Sequence, residues 1–326
     1  MKQWIKAVGT GPEGSRDLTV DEARNAAALI LDGNATPAQI GALFLAIRTK
    51  GEADTEMEGF LLEARMRLRT EPSSLPVLDA LDIGDPYDGH IRSPGISLPA
   101  ALLASSAGLP VILHGYSGLP AKFGVGHPEV WQAMGFPLTR AENARLSLSE
   151  HKIACLSQES LLPEWANLRQ IRQELGLRTL LNTVEKSMNP LNARTMIAGY
   201  FHEALAPRLH QLLRRTYPGS RIVLVAGSEG AVDLHPHRRT RYHPHDESSI
   251  ERQFSIALPE PFPPLPQLES TPQAHAKFAW ELLLRKDHPH RGLVRRMAAF
   301  FLTETERYPS IEQALEAVPE EPSFRP

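Results

Sequence analysis

The stretch Asp82–Ser97, DIGDPYDGHIRSPGIS, has the makings of an anion site. It follows an apolar run, turns on glycines and leads into an apolar helix. In α/β proteins, free amides at such a strand-to-helix turn cradle phosphate. Pro86 removes one of those amides, and Tyr87 fills space that a phosphate would need. By residue type alone the stretch is either an altered phosphate loop or a plain βα turn.

Three further groups could do chemistry. His235, His237, His243 and His245 form two His-x-His pairs. Neutral imidazoles in that number can hold zinc. Pro236, Pro244, Arg238, Arg239 and Arg241 share the segment, and the arginines repel a dication. It therefore reads as a solvated basic loop, and no metal site is assigned to it. In Leu168–Thr179 the spacing puts Arg169 and Arg172 on one helix face, with Arg178 just beyond. Guanidinium forks suit phosphate or carboxylate, and Glu174 offers a surface ion pair instead. His114 ends an apolar strand, at the sheet edge where ligands dock. There is one cysteine, Cys155, in an apolar run. It reads as core, excludes an intramolecular disulfide and suits a reducing, cytoplasmic setting. Neither Gly-x-Ser-x-Gly nor Gly-x-x-x-x-Gly-Lys-Ser/Thr occurs.

The net charge is −3 over 326 residues, but it is unevenly spread. Residues 161–245 carry 12 basic and 6 acidic side chains, inside an otherwise acidic chain. A basic segment of that kind can mark a polyanion-binding face. No apolar run is long and uninterrupted enough to span a membrane, and the N-terminal stretch lacks the apolar core of a signal peptide.

These residues need elements to hold them. Thr19-x-x-Glu22, Thr36-Pro37-x-Gln39 and Thr55-x-x-Glu58 each read as a helix-opening capping box, so residues 1–70 form a helical domain. Within the second of these helices, ALFLAIRTKG is apolar around most of its circumference, as a helix at a subunit interface would be. VLDALDIG, then GISLPAALLASSAG, then LPVILHG reads as strand, helix, strand, which implies a parallel sheet. Further strands are expected at KIACL and RIVLVAG. Further helices are expected at 141–150, 163–175, 190–215, 272–286 and 291–306. Leu258–Ser270, with five prolines, is expected to be a stiff connector. The fold class is α/β: a helical N-terminal domain joined in space by helices near 163–190, and an α/β domain from 75–160 and 190–326 around a mostly parallel central sheet.

Taken together, LTVDEARNAAALILDGNATPAQIGALFLAIRTKGEADTEMEGF, GLPVILHG, IRQELGLRTLLN and LVAGSEGAVD resemble the anthranilate phosphoribosyltransferase family, glycosyltransferase family 3. The resemblance implies a homodimer joined through the helical domain. The active-site pieces differ. Gly84-Asp85-Pro86-Tyr87-Asp88-Gly89 stands where the family has Gly-Thr-Gly-Gly-Asp-Gly, and Gly95-Ile96-Ser97-Leu98 replaces Asn-Ile-Ser-Thr. Leu113-His114-Gly115-Tyr116 replaces Lys-His-Gly-Asn, and Val232-Asp233 replaces the magnesium-binding Asp-Glu. Gly84, Asp88, Gly89, Ser97, His114 and Gly115 then remain of a phosphoribosyl site, with Asp233 as the remnant of the metal site. Arg172 matches the arginine that would face anthranilate.

That pattern is similar to the non-biosynthetic YbiB-type branch, which implies a catalytically inactive homodimer binding DNA or RNA without sequence preference. The residues expected to contact backbone phosphate are Arg169, Arg172, Arg178, Lys186 and Arg194, then Lys122, Arg238, Arg239 and Arg241. No cofactor is expected on that reading. The alternative is an active, magnesium-dependent transferase using phosphoribosyl pyrophosphate.

Overall fold

The structure, a computed structural model, describes residues 1–116, 118–245, 254–256 and 261–324. Four helices open the chain: α1 (Lys2–Gly9), α2 (Val20–Leu31), α3 (Pro37–Lys50) and α4 (Asp54–Arg67). Capping boxes hold two of their starts as expected, with Thr19 and Glu22 exchanging hydrogen bonds at α2 and Thr36 and Gln39 at α3. The third box is not formed. Helix α4 begins two residues earlier, after Ala53, whose N–H donates to the Glu56 carboxylate at 2.9 Å, while the Thr55 hydroxyl donates to the Leu18 carbonyl. Helices α2 and α4 pack closely at Gly59, where a Cβ would lie 2.5 Å from that of Ala23.

Among the described residues seven strands form one sheet: β1 (Leu78–Gly84), β2 (Val111–Gly115), β3 (Ile153–Ser157), β4 (Ala193–Gly199), β5 (Arg221–Ala226), β6 (Thr240–His243) and β7 (Phe254–Ile256). Their order is β3-β2-β1-β4-β5-β6-β7. The first five run parallel, and β6 and β7 are antiparallel at one edge. Side chains alternate across the sheet. Leu81, Ile83, Leu113, Cys155, Ile197 and Val223 face the layer holding helices Ser97–Ser106, Pro272–Leu284 and Arg291–Glu304. Ile112, Ala154, Leu156, Met196 and Ile222 face the other way, into a core continuous with the helical domain. Helices Arg169–Leu175 and Leu181–Glu185 pack against α3 and α4. Arg65 of α4 ties the halves together by donating to the Met188 and Asn189 carbonyls.

Several expected elements are revised. The span 190–215 is not one helix. It holds β4, which pairs with β1 at the centre of the sheet, and then helix Leu205–Thr216. Segment 163–175 breaks into Pro163–Ala166 and Arg169–Leu175. The histidine-rich stretch is not only a loop, since β6 lies within it. Residues 261–270 form neither helix nor strand, with the Phe262 N–H donating to the Pro236 carbonyl, and 258–260 of the expected connector lie outside the described residues. Among the described residues no helix is long and apolar enough to cross a membrane.

Strand β1 runs to β2 and β3 on one side, and β4 returns on its other side. Loops leaving β1 and β4 therefore diverge, and this switch point is where open α/β sheets form their ligand crevice.

Candidate functional site

A cleft of about 170 Å³ opens at that point. Arg48 and Glu52 of the helical domain line one wall. Asp88 after β1, Arg178 and Lys186 from the 176–186 segment, Phe201 after β4 and Glu229 after β5 line the rest. Backbone packing fixes its floor. A Cβ on Gly84 would lie 2.4 Å from the Lys186 carbonyl oxygen. Gly89, at φ +74°, sits against Gly124.

The loop after β1 turns most of its chemistry inward. Tyr87 is fully buried, and its hydroxyl lies 2.5 Å from His114 Nδ1. His114 Nε2 faces the buried Asp82 carboxylate at 3.3 Å, so with Nε2 protonated, Nδ1 accepts the tyrosine hydroxyl. Burial pushes the Tyr87 phenol well up, with the Glu185 and Asp82 charges adding to it. Asp85 points away from the cleft, toward His90 Nε2 (2.9 Å) and His127 Nε2 (3.1 Å). Burial opposes ionisation of Asp85, yet the His127 and His90 charges outweigh it and hold the carboxyl low. Burial also disfavours charge on His90, but Asp85 overrides it and raises the imidazole to about 9. His127 is pushed down by burial. Of the loop's acids only Asp88 serves the cleft, and Arg178 (2.8 Å) and Lys122 (3.4 Å) already hold it.

The loop does contain an anion nest, displaced from the expected place. The amides of Ile91, Arg92 and Ser93 converge, with donor distances of 3.3, 2.8 and 3.1 Å to one carboxylate oxygen. That carboxylate belongs to Glu229, itself held in the left-handed region at φ 56°. Lys122 Nζ lies 3.9 Å from it. A side chain of the protein thus occupies the position in which backbone amides would take a phosphate.

The expected remnant residues are dispersed by this packing. Ser97 Oγ meets His127 Nε2 at 3.0 Å, and Gly115 is pressed against Pro128. Asp233 Oδ1 accepts the Ile96 and Ser97 amides at the start of helix Ser97–Ser106. Burial raises the Asp233 carboxyl, with the His90 charge opposing. Magnesium with a diphosphate needs several oxygen donors open to one cavity. Here Asp233 is fully buried and capping a helix, Val232 has no donor, and Asp88 and Glu229 are engaged, so these residues do not fit that group.

The expected phosphate-contacting set divides. Arg178 borders the cleft, and Lys122 stands beside its Asp88 and Glu229. Arg169 is exposed, donates to the Tyr116 hydroxyl and stacks on that ring. Two assignments are corrected by burial. Arg172 is 1% exposed and makes a two-pronged ion pair with the equally buried Glu185, which also accepts from Gln158. Arg172 therefore faces neither a polyanion nor an aromatic acid. Lys186 is buried, donates to the Gly199 carbonyl and has its ammonium pushed down to about 8 by desolvation. Arg194 starts β4 at the opposite end of the sheet, beside Glu306. Arg238 and Arg239 are exposed before β6, and Arg241 pairs with Glu203, so these three lie apart from the Arg178 group. The histidines of that region do not converge. His235 lies near the Ala226 carbonyl, and His245 Nδ1 accepts from the Ile222 amide.

Residue types alone do not single out Glu229, Arg48, Phe201, His90 or His127. Glu229 sits in the Gly-Ser-Glu-Gly run, a turn signal, but its target 136 to 138 residues away has no sequence mark.

A mostly parallel sheet with this switch point packs against an N-terminal helical bundle. Residues 2–66 match the glycosyl transferase family helical bundle domain, and residues 90–321 match the glycosyl transferase family a/b domain. The chain belongs to this family. It is 31% identical over 237 residues to the anthranilate phosphoribosyltransferase of Natronomonas pharaonis, covering 72% of this chain and 68% of that one. It is 30% identical to an uncharacterized protein of Aquifex aeolicus, covering 75% of each. The crystal structure of anthranilate phosphoribosyltransferase from Thermus thermophilus superposes with a TM-score of 0.79 at 21% identity, covering 97% of this chain and 92% of that one. The Saccharomyces cerevisiae enzyme in complex with PRPP and Mg gives the same score at 16% identity and the same coverage. These two likenesses establish the shared fold.

Proposed function

We propose that this chain is a family member without phosphoribosyl transfer, and that it binds nucleic acid at the mouth of its cleft. The observation that carries the reading is the nest filled by the protein's own Glu229, beside a cleft lined by Arg48 and Arg178 and the 58%-exposed Phe201. Transfer from a diphosphate depends on fixed donors to the leaving group, and losing one costs on the order of 100-fold or more in rate. Here Pro86 and Tyr87 replace such donors and Glu229 covers others. What stays outward suits a polyanion strand: Arg48, Arg169 and Arg178 for backbone phosphates, with Phe201 and the exposed Phe123 as stacking faces. Cations interleaved with aromatics fit single strands, whose bases are free to stack. The ligand class is DNA or RNA, read without sequence preference. Self-association belongs to the same proposal, with the apolar groove between α1 and α3, at Ile5, Val8, Leu45 and Ala46, as its surface.

A second reading, magnesium-dependent phosphoribosyl transfer, is favoured by the relatives, several of which are named anthranilate phosphoribosyltransferase at 31 to 33% identity. It also has Gly84, Asp88 and Gly89 in its favour, but it requires Glu229 to leave the nest. One paired experiment separates the two. The full chain is assayed for binding of mixed-sequence oligonucleotides at low salt, and for magnesium-dependent consumption of phosphoribosyl pyrophosphate with a panel of aromatic amine acceptors. Binding without consumption is expected. Consumption without binding would establish the second reading.

A further inference from the structure

We propose that Asp85, His90 and His127 form a buried site for one zinc-class divalent cation, independent of the cleft and of the nucleic-acid reading. Asp85 follows β1, and His127 opens helix His127–Ala133. His90 is placed by a two-way backbone bridge to Val125, with N–H to O distances of 2.9 and 3.0 Å, so its distance from His127 is set by main chain rather than by flexible side chains. The rings of the two histidines stack at 6.2 Å between centroids. One ring nitrogen of each and an Asp85 carboxylate oxygen lie within 4.8 Å of one another. Each nitrogen is about 3 Å from that oxygen, at 2.9 and 3.1 Å. Donors on a tetrahedral ion with metal–ligand bonds of about 2.0–2.1 Å stand roughly 3.3 Å apart, so a shift of a few tenths of an ångström admits the ion. Ser97 Oγ, 3.0 Å from His127 Nε2, is close enough to serve as a further donor, itself or through a water.

Read as hydrogen bonds alone, the cluster is poorly satisfied. Asp85 Oδ1, His90 Nδ1, His127 Nδ1 and Asp233 Oδ2 are all buried without a hydrogen-bond partner, His90 Nδ1 and Asp233 Oδ2 facing each other only at 3.7 Å. Buried polar atoms in native proteins are seldom left so, and four in one cluster need a cause. A bound dication would take the place of the proton that His90 otherwise carries between Asp85 and Asp233, and these two buried carboxylates balance it. It also gives Asp233 a task. Its Oδ2 lies 3.7 Å from His90 Nδ1, and a carboxylate behind a ligating imidazole fixes the tautomer with Nε2 toward the metal. Two imidazoles, one carboxylate and a closed setting favour zinc over magnesium, which prefers six oxygens and keeps its waters. Every ligand is at most 4% exposed, as in a structural site.

The test uses the full chain. Zinc content is measured by elemental analysis after dialysis, and the cobalt(II)-loaded protein is examined for the intense visible bands of tetrahedral cobalt. One zinc per chain and a tetrahedral cobalt spectrum are expected. His127→Gln and Asp85→Asn should weaken zinc binding by at least about 100-fold, while H237A, in the basic loop, should leave it unchanged. Absence of zinc binding by the unaltered chain, an octahedral cobalt spectrum, or loss of metal in H237A alone would overturn the proposal. Should His127→Gln fail to fold, the cobalt spectrum of the unaltered chain decides the question.

Discussion

Removing the Glu229 side chain should turn the occupied nest into an open anion site. The carboxylate receives three amides at 2.8 to 3.3 Å, and the whole contact is intramolecular. A tethered ligand acts at an effective concentration in the millimolar range or above, so a free phosphate of millimolar intrinsic affinity competes poorly against it. E229A should therefore bind inorganic diphosphate about 10- to 100-fold more tightly than the unaltered chain, a gain of about 1.4–2.8 kcal/mol. Lys122, released from Glu229, adds its charge to the opened site. E229Q keeps an acceptor oxygen but loses the charge, and should fall between the two. Calorimetric titration at fixed ionic strength, without magnesium, reads the effect directly. Equal or weaker diphosphate binding by E229A would refute the view that Glu229 stands in for a bound anion.

Two stability predictions follow from the burial of charge. R172A leaves Glu185 charged and unpaired in the core, and such a loss costs about 3–5 kcal/mol. At roughly 2 °C per kcal/mol for a chain of this size, the melting temperature should fall by about 6–10 °C, while oligonucleotide affinity at 20 °C stays within about twofold of normal. A large affinity loss without a melting shift would return Arg172 to the ligand-facing set. His210 and His275 are buried, and desolvation holds each down to about 4 from 6.5 in the unfolded chain. Their neutral forms belong to the native state, so stability is full above about pH 6.5 and declines as pH falls toward about 4, where the unfolded state takes up more protons. Denaturant melts at pH 7.5 and 5 measure this, and replacing both residues with Gln should flatten the decline. An unchanged slope in the double variant would contradict the assignment.

The helical domain is readable wherever local chemistry decides. At Thr19 and Thr36 the cap, the acid or amide three residues on and the helix lie within one turn, and the structure repeats them. The third box fails because Glu56 outcompetes Glu58, since its carboxylate also accepts the Leu18 amide and pairs with Lys50. The run ARTMIAG reads as part of a helix because a short apolar run has no period of its own, and only pairing with β1 and β5 makes it a strand. The altered phosphate loop is visible in Pro86 and Tyr87, but where its polar groups point is not. Arg172 shows why. Its spacing from Arg169 suggests a shared ligand face, yet a glutamate thirteen residues later takes it into the core. Asp85 and His90 share one loop, but His127 stands far off in sequence and meets them because the His90–Val125 bridge folds one loop onto another.

The central claim is that the cleft mouth binds polyanions through phosphates and does not transfer phosphoribose. Its most direct test is the salt dependence of single-stranded oligonucleotide binding, followed by fluorescence anisotropy in the unaltered chain and in Arg178→Gln. If three or four phosphates are contacted, log affinity should fall against log salt with a slope of about −2 to −3, and the variant should lose about one phosphate's share of that slope on every sequence tested. A flat salt dependence, or a slope untouched by Arg178→Gln, would contradict the account.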